Sequence, residues 1–181
     1  MTEGFARTYY VMKEMQSLNR SFSSGLLSAL RRAPDALAEL RGSDALPGVS
    51  GVVRFYQTRR GVLISAEVCG LPEPPDSCGG GFFAFHIHEG GRCGDSGEDP
   101  FADALGHYDP GDCPHPAHAG DLPPLLADHG RAFQIFLTDR FTVREIVGRT
   151  VIVHSGPDDF STQPSGNAGG RIACGEIRAV C

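Results

Sequence analysis

From residue 48 onward apolar residues recur at every second position over short runs, the pattern of strands that bury one face. "GVVRFYQ" (51–57) and "GVLISAEVCG" (61–70) flank "TRRG", a hairpin turn ending in glycine. In the second run Val62, Ile64, Ala66 and Val68 alternate with more polar neighbours. "GGFFAFHIHEGG" (80–91), "RAFQIFLTD" (131–139), "GRTVIVHSG" (148–156) and "RIACGEIRAV" (171–180) are further strands, and "TVRE" (142–145) carries the capping-box pattern of one helical turn. Segments 89–130 and 155–170 are polar and rich in Gly, Pro and Asp, and loops of that length in a compact domain are functional or disordered. The pattern predicts an all-β domain, an antiparallel sandwich or barrel with two large functional loops.

Residues 1–46 read differently. "ARTYYVMKEMQSL" is compatible with a helix, and "PDALAELRG" (34–42) is a better one: Pro34 suits a first turn, Leu37 and Leu40 share a face, and Gly42 supplies a stop. The expected organisation is a partly helical N-terminal extension over 1–46, without chemistry, followed by the β domain over 47–181.

Composition narrows the function. The chain has 181 residues, a net charge of −6, no tryptophan and no basic run longer than Arg31-Arg32 or Arg59-Arg60, which argues against nucleic acid as a partner. No stretch approaches the ~18 apolar residues of a membrane span. The amino-terminal residues include Arg7, Lys13, Glu14 and Arg20, unlike a signal peptide, so the expected location is cytoplasmic. Six cysteines do not make a chain of this length a disulfide scaffold.

The chemistry lies in the histidines. In the strand over 82–88, Phe83, Phe85 and Ile87 share one face, and Phe82, Ala84, His86 and His88 the other. Two imidazoles roughly 6–7 Å apart at their Cα atoms can lean toward one metal ion, which ring nitrogens approach to about 2 Å. Five of the seven histidines, His86, His88, His107, His115 and His118, fall within one stretch, and Asp121 follows. His154 lies opposite Val151 and Val153 on its own strand and repeats the arrangement; only His129 looks unattached. Imidazoles converging from two strands and one loop, with a carboxylate, point to metal binding.

The motifs "FHIHE", "GHYDP", "HAGDLPPL", "VIVHSGPDD" and "GNAGGRIACG" occur in an order that resembles the copper–zinc superoxide dismutase family in its bacterial form, over about residues 48–180. The resemblance implies a Greek-key β-barrel. It implies a copper site of His86, His88, His107 and His154, and a zinc site of His107, His115, His118 and Asp121, with His107 bridging the metals. Asp158 resembles a carboxylate that hydrogen-bonds one histidine of each site, here His86 and His115. Arg171 resembles the arginine that attracts and orients the substrate, the superoxide anion, at a copper alternating between two oxidation states. Cys93 and Cys174 match the family's disulfide. A cytosolic location argues against a stable disulfide, and the resemblance argues for this one. Cys69, Cys78, Cys113 and Cys181 match no family role. A homodimer stays open.

The match departs from the family in the long N-terminal extension and in the zinc loop. His115 and His118 are three residues apart, a shorter interval than the family's, and the nearby Cys113 is a softer ligand that could compete for zinc. A rival function is therefore a non-enzymatic module that stores or delivers zinc or copper on the same fold. The complete copper set together with Arg171 favours the enzyme.

Overall fold

The computed structural model of the chain describes residues 25–73, 80–94 and 99–180. It divides into two compact units, Met1–Ala33 and Pro34–Cys181. Among the described residues of the first unit, 25–30 are helical. The helix expected over 6–18 lies outside the described residues.

The second unit is one antiparallel sheet of nine strands: β1 (Ala36–Gly42), β2 (Ser50–Thr58), β3 (Gly61–Cys69), β4 (Gly80–Phe83), β5 (Phe85–His88), β6 (Leu125–Asp128), β7 (Arg131–Thr138), β8 (Thr150–His154) and β9 (Arg171–Ala179). Their spatial order is β4-β6-β7-β3-β2-β1-β9-β8-β5. The two outermost strands, β4 and β5, are halves of one run separated only by Ala84, so the sheet curls into a nearly closed Greek-key barrel. Ala84 joins the halves to the β8 side: its N–H donates to Gly156 O at 2.7 Å and its carbonyl accepts from His154 N–H at 2.9 Å.

The alternating pattern sorts the side chains as expected. Phe55, Ile64, Phe85, Ile87, Leu125 and Ile177 are buried in the barrel core, each contributing roughly 1.5–3 kcal/mol. Val143 and Ile146 of the single helical turn Val143–Ile146 join the same core. That turn starts at Thr142, whose N–H donates to Glu145 Oε2 at 2.6 Å.

Two segments differ from the sequence reading. Residues 34–42 do not form a helix; Ala36–Gly42 is β1, paired with β2 and β9. Ala36, Ala38 and Leu40 alternate inward, a period of two that coexists in the sequence with the helical spacing of Leu37 and Leu40. Pairing on both edges decides between the two periods, and propensity does not. The second difference is β6, four residues inside what the sequence presents as a long loop. Leu125 and Ala127 point inward, and His129 (φ 47°) with Gly130 (φ 68°) makes the tight turn into β7.

Candidate metal centre

Strand β5 has two working faces. Phe85 and Ile87 enter the core, while His86 and His88 lie on the outer side of the barrel, yet all four are buried. The loops do this. β8 pairs with one edge of β5, and segment 106–121 covers the other: Tyr108 N–H donates to Ile87 O at 2.8 Å, Ile87 N–H to Gly120 O at 2.9 Å and Glu89 N–H to Gly106 O at 2.8 Å. Isolated bridges set His88 beside His107 and His86 beside Asp121. On β8, Val151 and Val153 face the core and leave His154 on the side of His86 and His88, with a register shift between Val153 and His154.

Two groups of side chains result. In each of the sets His86/His88/His107/His154 and His107/His115/His118/Asp121, one potential ligand atom per residue lies within 4.8 Å of the others. Every residue that the sequence assigns to a metal is brought together, and His107 belongs to both groups.

Hydrogen bonds behind the rings decide which nitrogens carry protons. His88 Nδ1–H donates to Leu105 O at 2.8 Å and His154 Nδ1–H to Gly169 O at 3.4 Å, so both present a bare Nε2. These two Nε2 atoms stand 3.3 Å apart. His86 Nε2–H donates to Asp158 Oδ2 at 3.0 Å, leaving its Nδ1 buried without a partner. His107 divides itself: Nδ1 faces Asp121 Oδ1 at 2.8 Å, while Nε2 is buried and unpaired. Lone pairs packed together this closely call for a cation between them.

The second group follows the same logic. His115 Nε2–H donates to Asp158 Oδ1 at 2.8 Å, so one carboxylate orients a histidine of each group. His115 Nδ1 then lies 3.1 Å from Asp121 Oδ2 but out of line for a hydrogen bond. His118 Nδ1 lies 3.4 Å from His107 Nδ1 and 3.3 Å from Asp121 Oδ1. Gly166 (φ 67°) makes room for Asp158, because an added Cβ there would fall on the Asp158 carboxylate and the His115 ring.

The electrostatic surroundings of the rings support the same picture. Burial, followed by the charges His107 and His154 would carry, pushes His86 down to about 2 and His88 well below its usual value. Burial likewise pushes His154 down to about 4, against the hydrogen bond to Gly169. All three imidazoles are therefore neutral at neutral pH, the form in which a ring nitrogen can bind a metal. For Asp121 burial works to raise the carboxyl, but the hydrogen bond from His107 and the neighbouring His115 and His118 outweigh it and hold it below its ordinary value.

Arg171 stands across from His154 on β9. Its NH1 donates to Phe101 O and its NH2 to Leu105 O, both at 2.7 Å, with Asp99 Oδ2 at 3.8 Å. Both carbonyls belong to the segment that Cys93 ties to Cys174 through a disulfide, Cα–Cα 5.7 Å. A cavity of about 530 Å³ opens here, lined by His88, His107, His154 and Arg171, among others. Cys113 is exposed and outside both groups, so it is no competitor for the second. Cys69 is also free and exposed; Cys78 and Cys181 lie outside the described residues.

Sequence reasoning missed the supporting groups. Leu105 and Phe101 act through backbone carbonyls and carry no residue-type signal. Gln163 and Arg140, which hold the second group's loop, sit in turns where polar residues are ordinary.

A family model described as copper/zinc superoxide dismutase (SODC) matches residues 49–177. The chain belongs to this family. Among similar superoxide dismutases [Cu-Zn], the Legionella pneumophila protein is 34% identical over 84% of this chain and 93% of its own length. The Deinococcus radiodurans protein is 34% identical over 73% and 79%. Among solved structures, the Cu/Zn superoxide dismutase from Brucella abortus superposes with a TM-score of 0.65 at 28% identity, covering 78% of this chain and 98% of that one. As a copper/zinc superoxide dismutase the chain is an oxidoreductase that converts superoxide to dioxygen and hydrogen peroxide, with copper and zinc as its cofactors. The storage or delivery reading is not favoured.

Proposed function

We propose that His86, His88, His107 and His154 hold the copper, that His107, His115, His118 and Asp121 hold the zinc, and that His107 is shared between them. The observation that carries this is the division of His107, with Nδ1 turned to Asp121 and His118 while Nε2 is buried and unpaired beside the other three imidazoles. Four imidazole nitrogens suit Cu(II), and three nitrogens with a carboxylate suit Zn(II).

Copper, when bound, supplies a one-electron cycle in which one superoxide is oxidised to dioxygen and a second, with two protons, is reduced to hydrogen peroxide. The protein's part is to attract, orient and protonate. Arg171 is the cation of the cavity that His88 and His154 line, and its two backbone anchors fix where its charge sits. In a chain of net charge −6 such a local positive field is needed to draw in an anion. His107 Nε2 is the atom placed to hold a proton beside the reacting oxygen, while Nδ1 keeps its place in the other group. Asp158 holds His86 and His115 in the tautomers that leave Nδ1 free.

The test is dismutation by protein loaded with copper and zinc, beside protein loaded with zinc alone. Fast turnover that requires copper is expected. His154→Ala should abolish it while sparing zinc binding, and unchanged turnover would remove His154 from the copper group.

A further inference from the structure

The backbone that carries the zinc ligands His115 and His118 has few anchors unless two side chains outside the ligand set are counted. Within segment 114–119 the loop's own backbone bonds are local: Ala117 N–H donates to Pro114 O at 2.8 Å, and Asp121 N–H to His118 O at 3.2 Å. Among the described residues, every hydrogen bond from the 114–119 backbone to a residue beyond 121 or before 114 comes from Gln163 or Arg140. The Gln163 carboxamide pairs with both backbone groups of His115: Oε1 accepts its N–H at 2.9 Å, and Nε2 donates to its carbonyl at 2.7 Å. Arg140, in the turn after β7, places NH1 3.3 Å from Pro116 O and 3.1 Å from both His118 O and Asp121 O. NH1 has two hydrogens for three carbonyls, so one bond is shared.

We propose that Gln163 and Arg140 are positioning residues for zinc, a two-sided clamp that sets the 115–118 backbone so that His115 and His118 already converge on His107 and on Asp121, which β5 holds through its bridge to His86, before the metal arrives. The physical need comes from the short interval. With only Pro116 and Ala117 between the two histidines, a small shift of the turn displaces both imidazoles at once, and ligands must be held to about 0.5 Å for full affinity. Gln163 fixes the entry of the turn and Arg140 fixes its middle and exit. Two different loops thus supply the rigidity that the segment's own hydrogen bonds lack, and that rigidity lowers the ordering cost of binding. The inference rests on the zinc assignment above.

The experiment uses the full chain, metal-free, titrated with Zn(II) against a chelator of known affinity and separately with Co(II), whose visible bands report ligand geometry at the same group. Gln163→Leu and Arg140→Ala are each expected to weaken Zn(II) binding about tenfold, the usual effect of losing an outer partner of a metal ligand, and to alter the Co(II) bands. Arg140→Lys, which retains a cationic donor, should recover part of the affinity. The Cu(II) spectrum of the copper group should stay as in the parent. Arg131→Ala, which removes an exposed arginine from β7, should bind zinc as the parent does.

Parental zinc affinity and parental Co(II) bands in both Gln163→Leu and Arg140→Ala would overturn the clamp, even if both proteins melt earlier. Equal weakening by Arg131→Ala would overturn it too, by tracing the Arg140 effect to net charge. If Arg140→Ala does not fold, Gln163→Leu and Arg140→Lys decide. Asp121→Ala, run in parallel, separates the two layers: its expected zinc loss upholds the assignment whatever the clamp variants do, and full zinc retention would sink both.

Discussion

Arg171 and His88 donate to the same oxygen. The carbonyl of Leu105 accepts from Arg171 NH2 at 2.7 Å and from His88 Nδ1–H at 2.8 Å. One backbone atom therefore sets both the place of the guanidinium and the tautomer of a histidine in the group proposed to hold copper. The segment that carries it is tied to β9 by Cys93–Cys174, a closure worth roughly 4–5 kcal/mol in the chain-entropy account.

Leu105 holds that carbonyl at φ 61°, ψ −150°, a region that favours glycine and costs other residues about 1–3 kcal/mol. Its side chain is 56% exposed, so little burial would be lost with it. After allowing for glycine's freer unfolded chain, Leu105→Gly is expected to stabilise the protein by about 1 kcal/mol, or roughly 2–4 °C in Tm. Thermal unfolding checks it, and a lowered Tm would count against strain at this position.

Arg171→Ala should lower kcat/KM at low salt by about tenfold or more, and should flatten its dependence on ionic strength. Arg171→Lys should restore part of the rate, since an ammonium keeps the charge but lacks the fork that reaches two carbonyls. Rates measured across a salt series distinguish these outcomes. A profile in Arg171→Ala identical to the parent's would refute the steering role.

Asp158 accepts from His86 at 3.0 Å and from His115 at 2.8 Å. Asp158→Ala removes the acceptor of one histidine in each group, so affinity for copper and for zinc should both fall, by about 10–100-fold. Separate titrations of the two metals test this. Normal affinity for both would show that ring orientation does not depend on the carboxylate.

The metal-free chain should weaken in mild acid. Burial pushes His86 and His154 down to about 2 and about 4 in the folded chain, against 6.5 as the ordinary value expected on unfolding. Between these values the unfolded chain binds more protons, so stability falls as pH drops through 6.5 and keeps falling toward 4. The slope is up to about 1.4 kcal/mol per pH unit for each histidine. Asp121, held below its ordinary value, adds its own loss only at lower pH. Urea midpoints of metal-free protein from pH 7.5 to 4.5 should decline steadily; a flat series would mean that these imidazoles are not buried as neutral groups.

The sequence by itself determined most strands and marked the histidines and Asp121 as a metal-binding cluster, while their division into two groups came from the resemblance of the ordered motifs to the family. Alternation is a local property: Val151 and Val153 must oppose His154, and Phe85 and Ile87 must oppose His86 and His88, once each run is a strand. The carboxylate between His86 and His115 was legible through the motif that contains Asp158. The tertiary structure decided what depends on distant partners. Ala36–Gly42 is a strand because β2 and β9 offer edges on both sides, although its own residues also fit a helix. β6 was hidden because four residues between turns carry too little pattern until β4 and β7 pair with them. The protonated faces of the imidazoles, the backbone seats of Arg171, and the hold of Gln163 and Arg140 on the zinc loop all arise from carbonyls and carboxamides brought together across long separations. A backbone carbonyl is the same atom in every residue, so the sequence cannot mark the ones that matter.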